Sequence, residues 1–288
     1  LNFNIGLVVS DLANPYGRLV HDTIDGAVRA EGLSLIASPI TPGEGFGRTV
    51  DAWFEDKSFA GVIVAVASSL ANDRDIDRIS FENRSRVVLL GYQHALVDSV
   101  SADFEAGGFL ATKHLIDHGH SRIAFVGAEF SDARRVARLQ GYLNALRTFG
   151  KQVRPDYILG SPGSAPGSFA TREVGHAATK EVMSRPNPPT AIFARNDFAA
   201  LGALDALSGL NIRVPEDVSV VGFDGVEEGK TASPPLTSIV QPTRDQALKA
   251  VECLRRRLTS RGSMLPPQHT VMSCRLSVRS SSGNVKTP

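Results

Sequence analysis

Three apolar runs in this chain each close on side chains built for hydrogen bonding. Pro215-Glu-Asp-Val-Ser-Val-Val-Gly-Phe-Asp224 ends on a carboxylate, and Ala191-Ile-Phe-Ala-Arg-Asn-Asp197 on an amide and an acid. Pro234-Pro-Leu-Thr-Ser-Ile-Val-Gln-Pro242 ends on the Gln241 amide. A buried parallel strand reads as a near-continuous apolar run, with function at its carboxyl end. A carboxylate such as Asp224 accepts hydrogen bonds from two hydroxyls of a polyol, while Asn196 and Gln241 each carry a donor and an acceptor. The other use of Asp224 is to cap the short helix after it, and Asp197 suits the cap of the helix starting there. Arg138 lies on a helix expected near Ala133–Phe149, off the apolar stripe of Val136, Leu139, Leu143 and Leu146. Its planar fork grips vicinal hydroxyls or a carboxylate in bidentate fashion. Its other reading is a solvated arginine beside Arg134 and Arg135. The three strand ends describe one wall of a small-molecule cleft.

Other chemistries find little support. Gly43-Glu-Gly-Phe-Gly47 resembles a phosphate loop only in richness: its spacing is wrong, and no ribose-binding acid follows at the right distance. His118-Gly-His120 reads as a helix C-cap flanked by histidines rather than as metal ligands. No Walker loop, nucleophile elbow or paired-histidine zinc helix is present, and no catalytic constellation, cofactor site or metal site is expected.

The elements that must position these residues alternate strand and helix. Strand-like runs are Ile5–Ser10, Leu33–Ala37, Gly61–Val66, Val87–Leu90, Arg122–Val126, Tyr157–Leu159, Ala191–Phe193 and Val218–Val221. Between them fall helical stripes, among them Leu19, Val20, Ile24, Ala27 and Val28. Further helices are expected near Phe104–His118, Phe169–Ser184 and Phe198–Leu207. Such alternation predicts α/β architecture, with parallel sheets covered on both faces. Right-handed crossovers make the sheets doubly wound. So many strands suit two Rossmann-like lobes better than one, as does a length of 288 residues against about 100–200 per domain.

Composition is that of an ordinary globular protein, 42% hydrophobic and 21% charged. A formal net charge of +1 does not advertise a polyanion partner, so the chain is not expected to read DNA itself. Arg255-Arg256-Arg257 with Arg261 reads as a solvated helix face. Cys253 and Cys274, with no CxxC spacing, fit a reducing compartment. No apolar run approaches the about 18 residues of a membrane helix, and no signal-peptide pattern opens the chain.

The order and wording of several segments resemble the effector domain of the LacI/GalR family of bacterial transcription regulators. Ile5-Gly-Leu-Val-Val-Ser-Asp-Leu-Ala-Asn-Pro-Tyr16 is similar to the family's opening strand and Asn-Pro-aromatic turn. Asp103 through Ala111-Thr-Lys-His-Leu-Ile-Asp-His-Gly-His120 resembles its central block. Arg138-Leu-Gln-Gly-Tyr142, Asn196-Asp197 with Ala200-Leu-Gly-Ala203, Val221-Gly-Phe-Asp224 and Arg275-Leu-Ser-Val-Arg279-Ser follow in order. Each block alone is weak; their succession is not.

The resemblance implies a periplasmic-binding-protein-like fold of type I, its lobes joined by three chain crossings. The N-terminal lobe is expected at 1–118 plus 243–268, the C-terminal lobe at 119–242 plus 269–288. A small effector, a sugar or a derivative, would bind between the lobes. The implied ligand-binding residues are Asp11, Asn14, Tyr16, Asp103, Arg138, Phe169, Asn196, Asp224 and Gln241. Gly17 stands where the family often has a second aromatic, which changes the expected pocket. The resemblance further implies a cytoplasmic homodimer coupled to operator DNA through an N-terminal helix-turn-helix that these residues do not include. An alternative on the same architecture is a periplasmic sugar-binding protein of a transport system. An enzyme on a Rossmann-like fold is the remote third.

Overall fold

In the computed structural model, the described residues are 4–9, 12, 15–40, 45–66, 73–128, 136–160, 171–260 and 265–286. The chain divides into two compact units, Leu1–Ala102 with Pro242–Met272 and Asp103–Gln241 with Ser273–Pro288.

The first unit carries β1 (Asn4–Val9), α1 (Pro15–Ala30), β2 (Ser34–Pro39), α2 (Gly47–Glu55), β3 (Phe59–Ala65), α3 (Asp73–Arg78), α4 (Phe81–Arg84), β4 (Val87–Leu90) and β5 (Asp98–Ala102). The second carries α5 (Phe104–Asp117), β6 (Ile123–Ala128), α6 (Ala137–Thr148), β7 (Ile158–Gly160), α7 (Arg172–Met183), β8 (Ala191–Ala194), α8 (Asp197–Gly209), β9 (Ser219–Asp224), α9 (Glu227–Thr231) and β10 (Thr237–Val240). α10 (Thr243–Thr259) and β11 (His269–Met272) return to the first unit, and β12 (Arg275–Ser277) completes the second.

Among the described residues both sheets have six strands, ordered β11-β5-β4-β3-β1-β2 and β12-β10-β9-β8-β6-β7. Every pairing is parallel except β10 with β12, an antiparallel edge. This is the doubly wound α/β arrangement that the sequence predicts. The strand order reverses between β1 and β3 and again between β6 and β8. Ligands of open α/β sheets bind beside such reversals, off the carboxyl ends of the strands.

The near-continuous apolar strands follow from burial on both faces. In β3, Ile63 packs with Val20, Ile24 and Ala250 of α1 and α10, while Val62 and Val64 face Val50 of α2 with Ile76 and Ile79. Asp98 is fully buried at the start of β5, where it accepts hydrogen bonds from Arg256 (2.7 Å) and Arg257 (2.9 Å) and so anchors the C-terminal turns of α10. In the second unit, α8 is buried nearly all round, which explains its apolar composition.

All three boundaries differ from the expectation, the middle one by a single residue, which gives Pro242 to the first unit. The first passage of the chain falls between Ala102 and Asp103, ahead of α5 rather than after His118. Glycines decide this, because Gly107 and Gly108 let α5 lie close against Phe223 and α6. The last passage follows Met272 rather than residue 268, because β11 pairs in parallel with β5.

Candidate functional site

The site is built in the second unit from the first turn of α6 and the carboxyl ends of β9 and β10. A Cβ on Gly108 would run into the Arg138 carbonyl, and one on Gly141 into the Glu105 carbonyl. These paired glycines bring the backbones of α5 and α6 together and set where α6 begins. The buried stripe of α6 is accordingly Leu139, Gly141, Tyr142, Ala145 and Leu146; Leu143, expected in it, is only partly buried. Tyr142 fastens the helix to the sheet by donating to the Ile123 carbonyl at 2.8 Å.

Arg138 projects from the first turn of α6. Its guanidinium lies 4.2 Å from the ring centre of Phe223 and 4.8 Å from that of Phe104, within cation–π range. Its Nη2 donates to Asp224 Oδ1 at 3.1 Å, and Gln241 Nε2 donates to the same oxygen at 2.6 Å. Among the described residues, the buried Arg138 Nε has no hydrogen-bond partner. Asp224 ends β9 with a positive φ of 118°, a conformation that costs a non-glycine residue roughly 1–3 kcal/mol. Burial pushes the Asp224 carboxyl above its ordinary range, and Arg138, Gln241 and Arg195 pull it back. The result is a carboxylate–guanidinium–amide cluster on an aromatic base, at the edge where α/β sheets hold ligands. Planar hydrogen-bonding groups in this arrangement suit adjacent hydroxyls or another small polar array.

The cap of α8 falls to Asn196, not to Asp197 as expected. Asn196, read as a hydroxyl reader, caps α8, its side chain accepting from the Ala199 amide at 2.8 Å. Its acceptor oxygen is therefore engaged. Asp197 does not cap its own helix; its carboxylate reaches the turn after β9. Burial, with the Asp224 carboxylate next to it, pushes Asp197 up to about 7, against the pull of three hydrogen bonds.

Asp103 caps α5 by accepting from the Ala106 amide at 2.9 Å. Tyr16 lies half-buried in the first turn of α1. Asp11, Asn14 and Phe169 lie outside the described residues. Phe104, Phe223, Arg195 and Cys274 belong to the surroundings of the cluster and were not expected there. Cys274 is buried, its thiol pushed up to about 11 by desolvation although Arg138 lowers it. Phe223, adjacent to Asp224 in a strand, carried a signal that its apolar character hid.

The described end of the glycine-rich segment, residues 45–47, is met by the protein's own acid. Asp75, 3% exposed, accepts from the Phe46 and Gly47 amides, the place a phosphate would need. His120 is structural, bonded to Thr190 (2.9 Å) and to Ser219 and the Gly283 carbonyl (both 3.1 Å). Among the described residues no cluster of His, Cys, Asp or Glu could hold a metal, and no helix is long and apolar enough to cross a membrane.

Residues 112–282 match the family model described as a periplasmic binding protein-like domain. The HTH-type transcriptional repressor PurR of Vibrio cholerae is 31% identical over 255 residues, 88% of this chain and 74% of that protein. The structure of a LacI-type transcription regulator from Bifidobacterium animalis subsp. lactis is 27% identical, with a TM-score of 0.84 over 97% of this chain and 99% of the other. The transcriptional regulator CelR–cellobiose complex is 28% identical, with a TM-score of 0.83 over 97% and 85%. The chain thus belongs to the LacI/GalR family of transcriptional regulators, as its effector-binding domain with the periplasmic-binding-protein-like fold.

Proposed function

We propose that this domain senses a small polar effector, a sugar or sugar derivative, at the cluster of Arg138, Asp224 and Gln241. The observation that carries the reading is the strained, half-buried Asp224 bonded to Arg138 at 3.1 Å, beside a buried Arg138 Nε with no described partner. Strain and an orphaned donor are costs that a binding site offsets and a purely structural ion pair has no use for. The cellobiose in the CelR complex favours a sugar. The match to repressors named PurR makes nucleobases the comparison set for the test.

The reading is of a binding protein, not an enzyme, acting in the cytoplasm as a homodimer. Its effector would be linked to operator DNA held by a helix-turn-helix. Such linkage is reciprocal: the effector acts only through its different affinities for the two states of the regulator. Thermal-shift measurements on wild type and Asp224→Ala, across monosaccharides, cellobiose, nucleobases and amino acids, test it. A ligand bound at this site raises the melting temperature of wild type alone, by mass action. An equal shift in both proteins places the ligand elsewhere and overturns the reading.

A further inference from the structure

We infer that Asp197 is the positioning residue of this site: its carboxylate, through the turn after β9, holds Asp224 in the conformation that meets Arg138 and Gln241. Only the functional consequence of this inference rests on the ligand reading above; its geometry does not.

Asn196 provides the cap of α8, which leaves Asp197 free for another task. Asp197 is 1% exposed, and its Oδ2 accepts from two successive backbone amides, Gly225 at 2.7 Å and Val226 at 2.8 Å. Its Oδ1 accepts from the Ser238 hydroxyl at 2.6 Å. One carboxylate therefore joins the start of α8, the turn leaving β9 and the strand β10.

The turn has the backbone such a carboxylate requires. Asp224 and Gly225 both have positive φ, 118° and 77°, and only glycine adopts such values freely. Successive amides converging on one acceptor form an anion-binding nest, and here the anion is the protein's own. Room for it comes from Gly222, since a Cβ there would run into Asp197 Oδ1. Val221-Gly-Phe-Asp224 is thus one device: Gly222 admits the clamp, Phe223 floors Arg138, and Asp224 is presented by the turn that the clamp holds. Asp197 bonds both the Gly225 and the Val226 amide; without it the strained Asp224 keeps the Gln241 amide on its carbonyl and two side chains on its carboxylate, but the turn that follows loses its tie.

The test compares Asp197→Ala, Asp197→Asn and wild type by amide hydrogen exchange and crystallography, with no ligand added. Measured well above pH 7, where Asp197 is ionised, the Gly225 and Val226 amides of Asp197→Ala are expected to exchange roughly ten- to a hundredfold faster, the effect of losing a hydrogen bond to a charged group. The Arg138–Asp224 contact is expected to open beyond hydrogen-bonding distance. Asp197→Asn keeps an oxygen for the amides and should restore most of both, a rescue that general loosening of the core would not produce. Unchanged exchange and an intact Arg138–Asp224 contact in Asp197→Ala overturn the inference. Should that variant fail to fold, Ser238→Ala removes only the anchor of the clamp: faster exchange at Gly225 and Val226 supports the inference, and unchanged exchange overturns it. If the turn relaxes in Asp197→Ala while ligand responses match wild type, the clamp stands and the ligand reading at Asp224 falls.

Discussion

Arg138 and Asp224, 86 positions apart in the chain, meet at 3.1 Å over the face of Phe223. One comes from the first turn of a helix, the other from the last residue of a strand. Neither placement is left to a flexible loop: paired glycines seat the helix, and a buried carboxylate holds the turn. Preorganisation of this kind lowers the ordering cost of binding.

Arg138→Lys keeps the positive charge but loses the planar fork and the aromatic stack. Effector affinity is expected to fall at least about thirtyfold, the lower range for disturbing one partner of a buried charged pair. Calorimetric titration with a ligand found by the thermal-shift screen measures it. Affinity within a factor of two of wild type would mean that a point charge suffices.

Gly141→Ala places a methyl group against the Glu105 carbonyl and the Phe109 amide. The α5–α6 pair must then separate, at a cost of about 1–3 kcal/mol. Chemical denaturation should show a lower midpoint with an unchanged slope. An unaffected midpoint would show that the helices have slack at this crossing.

Stability should fall with acid through His114. It is 7% exposed, bonded to Ser282 at 2.8 Å, and burial pushes its imidazole down to about 4. Because the unfolded chain takes up this proton first, near the ordinary histidine value of about 6.5, the contribution is complete above that pH. It is lost as pH falls from there toward about 4, on the order of 3 kcal/mol in all. Melting temperatures recorded from pH 7.5 to 5 should decline less steeply in His114→Gln. Parallel declines would assign the acid sensitivity to other groups.

Gln246 lies on the core-facing stripe of α10, 1% exposed, with neither amide atom bonded among the described residues. An orphaned buried polar group costs about 1–3 kcal/mol. Gln246→Leu is therefore expected to raise the melting temperature by a few degrees. A lower melting temperature would reveal a hydrogen-bonding partner, such as a bound water, that the amide serves.

Local chemistry sufficed to reveal the alternating strands and helices, since burial on both faces demands unbroken apolar runs whatever surrounds them. It also marked Asp224, Gln241 and Arg138, because a polar group at the end of an apolar strand, or off a helix stripe, is conspicuous along the chain. Folding alone settled which of two neighbouring polar residues does which work. Asn196 and Asp197 are neighbours with equal capping ability, and only the space opened by Gly222, with the amides of Gly225 and Val226 beyond it, sends Asp197 across to the turn. The antiparallel β12 and the chain's passage ahead of α5 were likewise hidden, as were the rings beneath Arg138. Each depends on close approach between segments far apart in sequence, and hydrophobic periodicity reports which face is buried but not what is buried against it.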